Sequence, residues 1–200
     1  MKGSLIVVGF FVLGIITGLS GILPFRIEDT DISFYALCTL MFCVGISIGN
    51  DPDTVKKFRQ LNPMLALLPV MTILGTLAAS ALAGLILEHR TVAQTMAVGS
   101  GFAYYSLSSI FITEYHGAEL GTVALLSNII RELIALLCAP LLVRWFGTLA
   151  PISAGGATTM DTTLPIITRT IGDKYAVVSI FHGFVVDFSV PFLVTFFCSL

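Results

Sequence analysis

Apolar runs as long as a bilayer is thick constrain this chain more than any other feature. Residues 4–23, 34–50, 64–87, 120–143 and 175–198 are each predominantly apolar, and a hydrocarbon core roughly 30 Å thick demands about 20 such residues of a crossing helix. In lipid only helices and closed barrels satisfy every backbone N–H and C=O. Runs of this length predict an all-α integral membrane protein, a polytopic helical bundle with about five full crossings. Composition agrees, with 56% apolar and 11% charged residues and a mean hydropathy of +0.97, where soluble domains carry roughly a quarter charged residues. A single transmembrane domain is expected over residues 1–200. Nothing in the chain points to nucleic acid.

The opening stretch MKGSLIVVGFFVLGIITGLSGIL has the outline of a signal peptide, but its apolar core is long and lacks a small-residue cleavage motif. It reads as the first span. Cys38, Cys43, Cys138 and Cys198 all fall in apolar segments without CxxC or Cys/His spacing, so they read as small packing residues. No metal or cofactor is expected.

Two further segments, within 92–113 and 154–170, are apolar but differently built. GSGFAYYSLSSIFIT (Gly99 to Thr113) and AGGATTMDTTLPIIT (Ala154 to Thr168) open on glycines and are then crowded with Ser and Thr. Closely spaced glycines and Pro165 disfavour an unbroken lipid-facing helix. Irregular backbone at membrane depth is tolerated where protein or a wet cavity surrounds it. Broken or re-entrant segments are therefore expected.

Lys and Arg in short loops concentrate on the cytoplasmic side. With five crossings and the N-terminus inside, the inner face collects Lys2, Lys56, Lys57, Arg59, Arg144, Arg169 and Lys174, against Arg26 and Arg90 outside. If both doubtful segments cross fully, Arg144 moves outside and the asymmetry weakens. The five-crossing arrangement is preferred, and either arrangement leaves the C-terminus outside the cytoplasmic membrane.

A weak repeat supports a transporter architecture. Gly101 and Gly156, Ser106 and Asp161, and Thr113 and Thr168 are each 55 residues apart. Each broken segment leads into a span with a similar ending, APLLVRWF from Ala139 and VPFLVTFF from Val190, at a spacing of 51. Spans carrying these phrases in opposite directions form an inverted-topology repeat of the kind found in secondary transporters. The plainer alternative is chance similarity between apolar segments.

Charged residues inside the spans carry the chemistry. NIIRELIALL, Asn128 to Leu137, holds an arginine and a glutamate at neighbouring positions, each costing roughly 2.5–3.5 kcal/mol near a helix centre unless it faces a bundle interior or water. Neighbours on a helix project about 100° apart, so Arg131 and Glu132 do not simply neutralise each other. Asn128, one turn before Glu132, shares its face and makes one polar edge with it. Arg131 is expected to find a carboxylate elsewhere, with Asp161 and Asp187 as candidates; His182 and Gly183 lie about one turn before Asp187. The candidate substrate- and proton-binding residues are Glu132, Asp161, Asn128, Arg131, Ser106, Ser108, Thr162, Thr163 and Asp187. A half-helix beginning within the membrane offers free N–H groups to a carboxylate, and intramembrane acids bind an ammonium or a proton. These residues alone define a transporter of a polar zwitterion or cation. A buried ion-pair network that merely fixes packing is the alternative.

MFCVGISIGN, MAVGSGFAYYSLSSIFITE, SNIIRELIALLCAPLLVR, GATTMDTTLPIITRTIG and HGFVVDFSVPFLVTFF, in that order, resemble the lysine exporter LysO family over nearly the whole chain. The resemblance implies secondary active export of L-lysine and lysine analogues across the inner membrane by proton antiport. It also implies that intramembrane acids are central, a role its RELIA and MDxTLP motifs carry onto Glu132 and Asp161. Asp187 belongs to no family motif. Single-chain members are about half as long again, and this chain resembles their C-terminal part. A separately encoded membrane subunit or a second copy is therefore an expected partner, beside lysine, protons and the lipid bilayer. A non-catalytic membrane subunit, or a carrier of another small cationic or zwitterionic solute, remains the alternative. An enzyme is not expected, since neither GxSxG nor HExxH occurs, and Glu114, His116 and Glu119 read as an interfacial loop rather than a metal site.

Overall fold

The computed structural model describes residues 63–200 continuously and, before them, only the helical positions Leu13, Ile16, Thr17, Ser20, Tyr35, Thr39 and Ile46. The chain divides into two compact units, Met1–Val55 and Lys56–Leu200. In the first, the hydroxyls of Thr17 and Thr39 donate to the carbonyls of Leu13 and Tyr35, one turn earlier, at 2.6 and 2.8 Å. Such back-bonding satisfies a hydroxyl within its own helix, without help from water. The expected spans 4–23 and 34–50 otherwise lie outside the described residues, as do Cys38 and Cys43.

Every regular element described in the second unit is helical. After the short α1 (Pro63–Ala66) come α2 (Leu68–Ile86), α3 (Val92–Gly99), α4 (Tyr105–His116), α5 (Ala118–Phe146), α6 (Ala150–Gly155), a 3-10 turn (Gly156–Met160), α7 (Leu164–Ile171), a second 3-10 turn (Asp173–Tyr175) and α8 (Ala176–Cys198). Among the described residues three helical stretches are long and apolar enough to cross a membrane, Pro63–Ile86, Ala118–Phe146 and Asp173–Cys198. They coincide with the runs expected at 64–87, 120–143 and 175–198. At about 1.5 Å per residue the 29 residues of α5 reach about 43 Å, enough to span a bilayer with tilt.

The faces of α5 follow from its sequence. Val123, Leu126, Ile130, Leu133, Leu137 and Leu141 recur every three or four positions and are exposed, the stripe expected to meet lipid. Leu120, Ala124, Asn128, Ala135 and Ala139 are buried on the other side, against α4 and α6. α8 buries the largest share of its residues of the three, packing against α2, α3, α4, α7 and the first 3-10 turn. Gly183 makes its closest approach possible, because a Cβ there would lie 2.6 Å from the Met160 nitrogen and 2.8 Å from Thr159 Oγ1. Small residues let helix backbones approach where no hydrophobic effect drives them together.

Both Ser/Thr-rich segments are interrupted. Thr91 starts α3 with a capping box, its hydroxyl accepting from the Gln94 amide while the Gln94 side chain accepts from the Thr91 amide. The helix stops at Gly99, and Phe102 and Ala103 take positive φ of 44° and 74° before α4 begins. The second segment tightens from α6 into a 3-10 turn at Gly156, φ +61°, and restarts as α7 with Pro165 in its first turn. The Ala157 amide donates to the Phe102 carbonyl at 2.9 Å, joining the two interruptions.

Candidate functional site

One turn of α5 holds both interruptions. Asn128, 3% exposed, accepts from the Ala103 amide at 2.8 Å through Oδ1, and its Nδ2 donates to the Val98 and Ala124 carbonyls at 3.2 and 2.9 Å. Left-handed Phe102 and Ala103 cost about 1–2 kcal/mol each. A buried amide N–H left unpaired would cost about 1–3 kcal/mol more. The Asn128 side chain supplies the partner that the broken helix no longer does. Ser108 is fully buried beside it, donating to the Tyr104 carbonyl at 2.8 Å and 3.5 Å from Asn128 Nδ2. Ser106 is exposed on α4.

Arg131 finds carbonyls where a carboxylate was expected. Its Nε and Nη2 donate to the Ala154 and Ser153 carbonyls at 2.9 and 3.0 Å, and Nη1 to Thr76 Oγ1 at 3.3 Å. Among the described residues no carboxylate oxygen lies within 4.0 Å of it, the one such pair being Arg90 and Glu119. The carbonyls belong to the last turn of α6, the negative end of that helix, and a guanidinium fork suits two neighbouring acceptors. Its Cζ also sits 5.5 Å from the Phe102 ring centroid, a cation–π contact with the other interruption.

Glu132 reaches the far side of the second interruption. Its Oε1 accepts from the Thr162 hydroxyl at 2.5 Å, and the Thr162 amide donates to Asp161 Oδ1 at 2.5 Å. Thr162 thus carries one carboxylate on its hydroxyl and the other on its backbone. Glu132 is half-buried, while Asp161 and Thr162 are exposed on this chain's surface. Thr163 is buried, its hydroxyl 3.3 Å from that of Thr158. Asn128 and Glu132 therefore serve different segments, and do not form one polar edge.

Asp187 is 7% exposed, and its carboxylate makes no hydrogen bond among the described residues. Asp161 and Tyr104 are the titratable groups near it. Pro191, one turn on, offers no N–H to the Asp187 carbonyl.

A buried network on the same helix has little sequence signal beyond a histidine in an apolar span. His182, with no exposed surface, has Nε2 2.9 Å from Thr72 Oγ1 and Nδ1 3.2 Å from Thr159 Oγ1. Thr159 in turn reaches the Gly156 and Ser179 carbonyls at 2.8 and 3.0 Å. The network ties α2 and α8 to the 3-10 turn. Cys138 and Cys198 are free thiols within spans, and Glu119 pairs with Arg90.

A family model described as lysine exporter LysO matches residues 8–198. A protein named lysine exporter LysO from Escherichia coli K12 is 37% identical over 98% of this chain, which spans 64% of that relative's length. A protein from Haemophilus influenzae Rd, provisionally named a lysine exporter, is 32% identical over 84% of each chain. No solved structure matches. The match of the family model from end to end of the described unit, together with these relatives, places the chain in the lysine exporter LysO family.

Proposed function

We propose that the chain is the site-bearing part of a secondary active exporter of L-lysine and its analogues in the cytoplasmic membrane, working by proton antiport. The observation that carries this reading is the convergence of two acids on Thr162: Glu132 from a membrane span and Asp161 from a helix interruption. Neither has a basic partner within 4.0 Å among the described residues. Two carboxylates served by one threonine, with no counter-charge, can seat a cation or a proton in turn. An exporter needs that choice, since the same group must release a proton to take an ammonium and the reverse. Asp187, buried nearby, is assigned to proton relay. Ser106, Ser108, Thr162 and Thr163 are assigned to the polar lining.

Five crossings with re-entrant interruptions and an inverted repeat fit this role. Support comes from the helix stops near Gly101 and Gly156, 55 residues apart, and from the backbone bond between them. The N-terminus is assigned to the cytoplasm and the C-terminus to the outside. A separately encoded membrane subunit, or a second copy of this chain, is assigned as its partner.

The test is efflux of preloaded labelled lysine from cells lacking other lysine exporters, with and without any neighbouring short membrane protein. Glu132→Gln and Asp161→Asn are expected to abolish efflux at unchanged membrane levels. Normal efflux in both variants would remove the acidic site, and no efflux in any combination, despite correct insertion, would remove lysine as the substrate.

A further inference from the structure

We propose that His182 is the positioning residue for Asp161: one ring nitrogen holds the 3-10 turn that ends on that acid, and α2 fixes the other. The part this plays in transport rests on the reading above, whereas the state of the ring does not. Thr159 belongs to the turn Gly156–Met160, and Asp161 caps it, its amide donating to the Thr158 carbonyl at 3.2 Å. His182 Nδ1 lies 3.2 Å from Thr159 Oγ1, and Nε2 lies 2.9 Å from Thr72 Oγ1 on α2.

The hydroxyl protons decide the form of the ring. Thr159 Oγ1 is 2.8 Å from the Gly156 carbonyl oxygen and 3.0 Å from that of Ser179, and oxygens so close need a proton between them. A threonine hydroxyl has one proton, so Thr159 directs it to a carbonyl and accepts from the ring. Nδ1 must then carry a hydrogen. In a neutral imidazole the other nitrogen is bare, so Nε2 accepts from the Thr72 hydroxyl. Charging the ring would place an ion where no surface is exposed, a costly burial. The neutral Nδ1–H form satisfies both threonines and a carbonyl through a single side chain.

Two neighbouring residues of α8 meet the turn. His182 bonds to Thr159, and Gly183 lets the backbone in so closely that a Cβ there would lie 2.6 Å from the Met160 nitrogen. Close packing sets how near the turn comes to α8. It does not set how the turn is rotated, because apolar contact is non-directional and a hydrogen bond is not. That rotation fixes where Asp161 points and, through the amide and hydroxyl of Thr162, how it stands to Glu132. A satisfied buried network selects one such arrangement, and Thr72 adds the choice of tautomer, which the partner of the second ring nitrogen sets.

The test uses the full chain, purified with whatever subunit it requires and carrying isotope-labelled histidine. The chain has three histidines, and the nitrogen NMR signals absent from His182→Asn are those of His182. A protonated Nδ1 with a bare Nε2 is the expected spectrum; a protonated Nε2, alone or with Nδ1, would overturn the proposal. Position is read at Asp161 itself, as its rate of modification by a hydrophobic carbodiimide, located by mass spectrometry, in the parent, His182→Leu, His182→Asn and His182→Gln. The amide of His182→Asn reaches the place of Nδ1, and that of His182→Gln the place of Nε2. His182→Asn should keep the parent rate within twofold, while His182→Leu and His182→Gln change it at least fivefold. Equal rates in all four proteins, or any other ranking, would overturn the positioning. In cells, the lysine concentration for half-maximal efflux should rise at least tenfold in His182→Leu and His182→Gln, with the maximal rate less affected. A parent without lysine efflux would remove the transporter reading, and the carbodiimide rates would still decide the position of Asp161.

Discussion

The Ala157 amide donates to the Phe102 carbonyl across 2.9 Å, so two helix interruptions far apart in sequence meet backbone to backbone. Neither interruption could stand alone in lipid, where a freed N–H or C=O has no water to turn to. Each supplies part of what the other lacks, and α5 supplies the rest through Asn128, Arg131 and Glu132. The Asn-Ile-Ile-Arg-Glu turn is therefore a clamp on both interruptions, and its charges are held at the point where they cross.

Gly156 is where that crossing is tightest. Its φ of +61° disfavours any Cβ, and a Cβ there would run into the Phe102 carbonyl oxygen. Gly117 also has positive φ, +84°, but nothing within 4 Å of its Cβ position. Gly117→Ala should cost only the conformational term, about 1–3 kcal/mol for its φ of +84° with ψ of 170°. Gly156→Ala should cost clearly more and melt several degrees lower in detergent. Equal melting temperatures for the two variants would show that the close approach contributes nothing.

Asn128→Leu keeps the size of the side chain and removes both halves of the amide. The Ala103 N–H then loses its partner in a buried position, at about 1–3 kcal/mol, while the Val98 C=O keeps the Gly101 amide at 3.3 Å. Ser108→Ala loses only a contact at 3.5 Å and a bond back to its own helix. A thermal shift assay should find the first variant strongly destabilised and the second within about 0.5 kcal/mol of the parent. The reverse order would move the anchor of the first interruption from Asn128 to Ser108.

These anchors were only partly legible beforehand. Length and hydropathy located the three long spans, because a bilayer sets one scale for all of them. Glycines and Pro165 marked where regular helix would stop, and it does stop at Gly99 and Gly155. The left-handed residues, however, are Phe102 and Ala103 rather than Gly101. Their conformation is imposed by tertiary bonds, and side-chain type does not announce it. The sequence points Arg131 to a carboxylate because charge is what a sequence displays; its partners are the Ser153 and Ala154 carbonyls, and every residue has one of those. Spacing put Asn128 and Glu132 one turn apart on α5, but the polar edge expected of them does not form, because helix periodicity does not say which neighbour each residue will meet.

His182 offers a test of the second network. Thr72→Val should leave Nε2 without its 2.9 Å partner and cost about 1–3 kcal/mol. Removing the imidazole as well, in Thr72→Val with His182→Leu, should cost less than the sum of the single changes, since the orphaned nitrogen is gone. Denaturation of the four proteins in one detergent measures the coupling. Strict additivity would mean that α2 and α8 are held together by apolar contact alone.

Glu132 and Thr162 are expected to act as one unit in transport. Glu132→Gln removes the charge and should bring lysine efflux to background. Thr162→Val keeps the carboxylate but removes the hydroxyl that anchors it, a hydrogen bond to a charged group, for which about 1.5–3 kcal/mol is typical. If that energy positions Glu132 for exchange, efflux should fall roughly 10- to 100-fold, with membrane levels unchanged. In the double variant the loss should equal that of Glu132→Gln alone, because a hydroxyl with no charge to hold has nothing left to contribute. Efflux measured across the four proteins decides this. A Thr162→Val protein with full efflux would mean that the contact serves packing, and the positioning of Glu132 would then fall to Asn128 and Arg131 on the same turn.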